Sequence, residues 1–170
     1  MELHEALYTT RAMRRVKKDP IPLDVQARIL DAAHADPDAP ESVQILKVQR
    51  SAQWLADHFE DVPLYLFPFC QHDPTGGSIY PAVWNAMLAA RAEGVGSCIT
   101  ALLQFFHPAE TFEILGVPTD EGWHLSGTVS FGYPTGTWGI APRRPVHEVS
   151  HRNTWGAPVG FEVPQPLWPG

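Results

Sequence analysis

Residues 78–103 read SIYPAVWNAMLAARAEGVGSCITALL. Ser78 is a natural N-cap, because its hydroxyl can accept a bond from a first-turn N–H. Val83, Trp84, Met87, Leu88 and Arg91 carry helical spacing forward, and Gly94 suits the left-handed residue that ends a helix. Ala82, Ala86, Ala89, Ala90 and Ala92 let another helix approach closely, so this helix is expected at the centre of the fold. Past the GVG turn, Ser97–Leu103 is an apolar run that reads as a buried strand.

HDPTGGS before the helix lacks the Gly-Lys-Ser/Thr ending of a P-loop and the spacing of a dinucleotide fold, and reads as a turn with an N-cap. Upstream, Leu64–Phe69 is an aromatic-rich strand, which Pro68 assigns to an edge or a strand end. Gln53–Glu60 reads as a helix and Val43–Val48 as a strand. A helix starts near Pro22 or Leu23, where Val25, Ile29, Leu30 and Ala33 recur at helical spacing, and stops before DPDAP. Leu3–Tyr8 is a further short helix. Downstream, Pro108–Leu115 is a helix stopped by Gly116, and Leu125–Tyr133 is a third strand. Val146–His151 reads as a short helix. The tail after it carries Phe161, Val163, Leu167 and Trp168, which are expected to lie on their own domain or on a second subunit, since each large apolar side chain left in water costs about 1.5–3 kcal/mol.

The 170 residues fit one domain, and 44% hydrophobic against 18% charged residues is a globular composition. With 17 prolines and 13 glycines, irregular backbone is expected to take a large share of the chain. A net charge of −7 argues against a general nucleic-acid or anionic-membrane surface. No apolar run is long enough to span a membrane, and the first residues lack a signal peptide's apolar stretch, so a cytoplasmic protein is expected. Cys70 and Cys98 show no metal-like spacing and read as buried thiols.

Two motifs suggest chemistry. His147-Glu148-Val149-Ser150-His151 matches the H-E-x-x-H pattern of zinc hydrolases, which sets two histidines one helical turn apart. A third ligand is lacking, since Glu162 follows a stretch broken by Gly156, Pro158 and Gly160; surface histidines are the preferred reading. Basic clusters stand near both ends: RAMRR, and PRRP with Arg143 and Arg144. Guanidinium groups of this kind form fork-shaped pairs with phosphate, so the two clusters suit a small phosphorylated ligand. The plainer alternative is solvated surface charge. No nucleophile elbow or Ser-His-Asp order supports acyl transfer.

Taken in order, TTRAMRRVKKDPIPLDVQARILDAA, SIYPAVWNAMLAARAEGVGSCITALL and LGVPTDEGWHLSGTVSFGYPTGTWGIAPRRPVHEV resemble the FMN-dependent nitroreductase family, in a shortened, actinobacterial-type form. The resemblance covers most of the chain. It implies an α+β fold with a central, mostly antiparallel sheet flanked by helices. It also implies one nitroreductase-like domain over 1–170, with 156–170 as a C-terminal arm exchanged in a homodimer. FMN is the implied cofactor, NADH or NADPH the electron donor, and a quinone or nitroaromatic the acceptor; neither nucleic acid nor membrane is an implied partner.

The resemblance also points to residues. Arg11, Ala12, Met13 and Arg14 stand for an Arg-Ser-x-Arg element, whose arginines contact the FMN phosphate and the flavin's polar edge. Arg143 and Arg144 are implied near the phosphate, while the backbone of Thr100, Ala101 and Leu102 runs along the isoalloxazine. In DPDAPESVQILKV, Ser42 replaces an asparagine that bonds the flavin, Leu46 a tryptophan and Lys47 an arginine, whereas Gln44 is kept. Beyond Arg50, roughly 30 residues that help to cover the site in longer relatives are also absent. Those departures define a second reading, a protein of the same fold that binds flavin weakly or not at all and serves as an interaction module.

Overall fold

The computed structural model describes Ala6 and residues 20–33, 50–138 and 144–163. Ala6 is helical; the rest of Leu3–Tyr8 and the expected Val43–Val48 strand lie outside the described residues. In chain order the elements are α1 (Leu23–Ala33), β1 (Leu64–Leu66), β2 (Phe69–Cys70), α2 (Ile79–Ala92), β3 (Gly96–Thr100), α3 (Leu102–Phe106), α4 (Pro108–Leu115), β4 (His124–Leu125), β5 (Thr128–Gly132) and α5 (Val146–Val149). Residues 50–57 are also helical, and a 3-10 turn follows at Phe59–Asp61. Helices and antiparallel strands together make the expected α+β class. The described chain divides into two compact units, one holding Ala6 and Ala56–Thr137, the other drawn from Met13–Leu55 and Trp138–Gly170.

In the first unit, β5 is the middle strand of an antiparallel sheet ordered β1-β5-β3, and β2 pairs with β4 in a separate two-stranded ladder. The expected Leu64–Phe69 strand is therefore two strands. Pro68 lies at the break, having no N–H for a ladder, and its carbonyl accepts the Ser126 N–H at 2.9 Å. Leu125–Tyr133 likewise splits at Ser126-Gly127. Gly127 has φ +146°, a backbone conformation that side-chain-bearing residues rarely adopt, so the break between the strands falls on a glycine for its backbone. Ser97–Leu103 is not one buried strand: β3 stops at Thr100 and forms the sheet edge, with Cys98 and Ile99 exposed. Cys70 is only half-buried, so neither thiol is the buried group expected.

Alternation along β5 places Val129 and Phe131 on one face, where Val83 of α2 completes a buried cluster. Ile79, Met87 and Ala90 join it, so the core-facing stripe of α2 runs through positions 79, 83, 87 and 90. Tyr80 and Trp84 stay on its uncovered side, Trp84 being 58% exposed. Gly94 at φ +74° ends the helix; the Val95 N–H reaches the Ala90 carbonyl at 2.9 Å and the Gly94 N–H reaches Arg91 at 3.2 Å, the paired bonds of a Schellman motif.

The start of α2 differs from the sequence expectation. Ser78 makes no side-chain capping bond. Asp73 Oδ2 instead accepts the N–H groups of Ser78 at 3.0 Å and Ile79 at 2.9 Å. These backbone bonds, that of Ile79 foremost, hold its carboxyl below the ordinary 3.8.

In the second unit, Ala27 of α1, Val146 of α5 and Val163 form the buried cluster, with Phe161 packed against it. Two of the tail's large apolar residues therefore rest on their own chain; Leu167 and Trp168 lie outside the described residues. Arg152 ties the same region together, its Nε donating to the Val159 carbonyl at 2.8 Å and its Nη2 to Gln26 Oε1 at 2.7 Å.

Candidate functional site

Among the residues singled out by the resemblance, Thr100, Ala101, Leu102 and Arg144 are described, whereas Arg11, Ala12, Met13, Arg14, Ser42, Gln44 and Arg143 lie outside the described residues. Thr100 ends β3 opposite Thr128. Ala101 makes the bend, and its carbonyl takes the Phe105 N–H at 3.1 Å as α3 begins. The Leu102 N–H donates to Thr100 Oγ1 at 3.3 Å. Strand thus becomes helix within three residues on the open side of the sheet, where Leu102 is 37% exposed.

Arg144 belongs to the second unit. Its Nε faces Glu148 Oε2 at 3.3 Å across the first turn of α5, with both side chains substantially exposed. An ion pair in contact with water contributes little to stability. The expected helix through His151 is shorter: α5 ends at Val149 and Ser150 is extended. His147 and His151 therefore do not share a helical face. His147 Nδ1 accepts the Val163 N–H at 3.0 Å, which assigns the ring proton to Nε2, while His151 packs beside Trp155 at a ring separation of 4.4 Å.

The first unit also contains a cleft of ≈ 420 Å³, within the size range of small-molecule sites. Cys70, Asp73, Tyr80, Gln104, His124 and Ser126 line it. Cys70 Sγ and Ser126 Oγ are 3.2 Å apart and share a hydrogen bond. Gly76 sits in the wall at φ +71°, where a Cβ would collide with the Tyr80 ring. Neither lysine nor arginine is among the described lining residues.

The family model for the Nitroreductase family matches residues 42–133, more than half of the 170-residue chain. The chain belongs to the nitroreductase family. The family groups flavin-dependent oxidoreductases, so this nitroreductase-family chain is an oxidoreductase by descent. It is similar to a nitroreductase-like family protein from Bacillus cereus at 14% identity, covering 89% of this chain and 96% of that one with a TM-score of 0.49. It is also similar to nitroreductase A from Vibrio parahaemolyticus RIMD 2210633 at 18% identity, covering 91% and 77%, with a TM-score of 0.45. No curated protein matches the sequence.

Two features of this nitroreductase-family chain fit flavin mononucleotide in kind. Its phosphate needs a fork of N–H donors, a chemistry that the Arg144 guanidinium has within the second unit, where its Nε pairs with Glu148 Oε2. Its ring system needs accessible backbone, and Thr100–Leu102 follows the edge strand β3, with Leu102 37% exposed. The cleft fits the phosphate poorly, being lined by Asp73 with no arginine or lysine among its described residues. Sequence reading missed the cleft because its walls come from separate segments; only Asp73, just ahead of a helical run, carried a local signal.

Proposed function

We propose that this chain is an FMN-dependent oxidoreductase of nitroreductase type, a cytoplasmic homodimer that passes electrons from NADH or NADPH to a small acceptor such as a nitroaromatic or quinone. The observation that carries the reading is the family match over 42–133, which includes the open strand end at Thr100–Leu102. In this reading, Arg11, Arg14, Arg143 and Arg144 hold the phosphate. Thr100, Ala101 and Leu102 lie along the ring system, Ser42 and Gln44 supply side-chain polar groups beside it, and Ala12 and Met13 stand between the two arginines, Ala12 without the hydroxyl of the serine it replaces. The chemistry that FMN supplies when bound is hydride acceptance and onward electron transfer. The protein's share is orientation: a short strand end fixed by its ladder to β5 presents backbone, and guanidinium groups anchor the charged end.

The same reading takes 1–170 as one nitroreductase-like domain with 156–170 as a C-terminal arm; Phe161 and Val163 anchor that arm on its own subunit, and exchange with the partner is left to the residues after them. The exposure of Trp84, Phe105, Phe106 and Ile114 supports dimerisation; Phe105 is 72% and Ile114 83% exposed, more apolar surface than a lone subunit usually leaves in water. No helix of the described residues is long and apolar enough to cross a membrane.

Purified protein is expected to be yellow, to release FMN on denaturation and to bleach with NADH or NADPH. Arg144→Ala is expected to lower flavin retention about tenfold, the loss of one charge-assisted contact. A second reading, flavin binding lost on a retained fold, is favoured by Ser42 in place of asparagine. Colourless protein that takes up no added FMN would establish it and overturn the first.

A further inference from the structure

We propose that the cleft formed by the loop before α2, the start of α2, α3 and β4 is a binding site for a small planar aromatic molecule bearing a cationic or neutral amide-like group. The amidine of benzamidine and the carboxamide of benzamide represent the class; carboxylates and phosphates are excluded. This proposal goes beyond the flavin reading and does not depend on it.

Size comes first. At ≈ 420 Å³ the cleft exceeds the space one or two waters fill and has room for a ring lying in a partly open groove. Polar side chains converge there: Tyr80, Gln104 and His124 all line the cleft, Tyr80 and His124 exposed and Gln104 half-buried. A carboxamide such as Gln104 offers a donor and an acceptor side by side, the complement of an amide or amidine edge. Tyr80 adds an aromatic wall held beside Gly76.

Charge decides between ligand classes. Asp73 lines the cleft while Oδ2 accepts two backbone N–H groups, and a carboxylate with about four lone-pair sites keeps capacity for another donor. With no lysine or arginine among the described lining residues to offset it, an anion entering there meets like charge, whereas an amidinium meets a fixed partner.

The two cysteines provide the test. Cys70 lines the cleft and Cys98 is exposed on the edge strand, so Cys98 serves as an internal control. Iodoacetamide labelling of each is followed by mass spectrometry with benzamidine, benzamide, benzoate or FMN present. Saturable slowing of Cys70 labelling is expected with benzamidine and benzamide, at least tenfold weaker with benzoate, and none at Cys98. Asp73→Asn is expected to bring benzamidine and benzamide to parity, and Gln104→Leu to weaken both. Amide chemical-shift mapping with the same four compounds provides the same comparison where Cys70 labels too slowly, with shifts expected at Gln104 and His124. Equal protection by benzoate, equal slowing of both cysteines, no saturable effect, or stronger protection by FMN than by benzamidine would each overturn the proposal. None of these outcomes bears on whether the protein carries flavin elsewhere.

Discussion

Asp73 gathers the N–H groups of Ser78 and Ile79 onto one oxygen, so the first turn of α2 hangs on a charge that acid removes. The folded carboxyl titrates below its ordinary 3.8, and the unfolded one near it. Its contribution is therefore complete above about pH 5 and is lost as pH falls through the unfolded value toward the folded one. Asp73→Asn is expected to lower the melting temperature at pH 7, with the gap to the parent closing below 3.8 in melts taken across pH. Thr128 presents the opposite case. Its Oγ1 is buried with no hydrogen-bond partner among the described residues, and the residue is 0% exposed. Thr128→Val keeps the shape and removes an unsatisfied hydroxyl, so urea denaturation should show a gain of about 1 kcal/mol. A loss would indicate a partner for that oxygen. Ser78 illustrates why the sequence misplaced the cap: a serine before a helical run is a good local signal, but an aspartate reached through a tight glycine turn competes for the same N–H groups with a full charge.

Gly94 is where the chain leaves α2 to become β3. Its φ of +74° meets no crowding, so Gly94→Ala isolates the cost of left-handed backbone, expected at about 1 kcal/mol in equilibrium denaturation. Features of this kind were legible from sequence: the glycine stop, the helical spacing of α1 and α2, and the Pro108–Leu115 helix all follow from local rules. The strands were less legible. Leu64–Phe69 reads as continuous because it is an unbroken apolar, aromatic-rich run, and Leu125–Tyr133 because apolar residues recur through it, yet Pro68 breaks the first where it offers no ladder N–H and Gly127 the second where the backbone turns to positive φ. Edge status is a property of the sheet, so no feature of GSCIT itself tells that Cys98 and Ile99 are exposed. The candidate site divides in the same manner. Thr100–Leu102 is a candidate only through the family resemblance of the GVGSCITALL string, no local rule marking it as a site, while the cleft depends on segments brought together by pairing of β2 with β4.

For the whole molecule, apolar exposure is the quantity that sets behaviour. Trp84, Phe105, Phe106 and Ile114 are all more than half exposed within one unit of a chain of 170 residues. Sedimentation equilibrium in reducing buffer is expected to give twice the 18.9 kDa chain mass, and Trp84→Glu to shift the population toward one chain. A monomer at micromolar concentration would remove the homodimer from the proposed function. The buffer matters because of Cys98. A free thiol exposed at the outer edge of β3 is open to air oxidation against the same thiol of another copy, locking two molecules by a covalent bond. Protein stored without reductant would then yield a doubled mass that records its handling, and a Cys98→Ser variant is the material on which true association should be weighed.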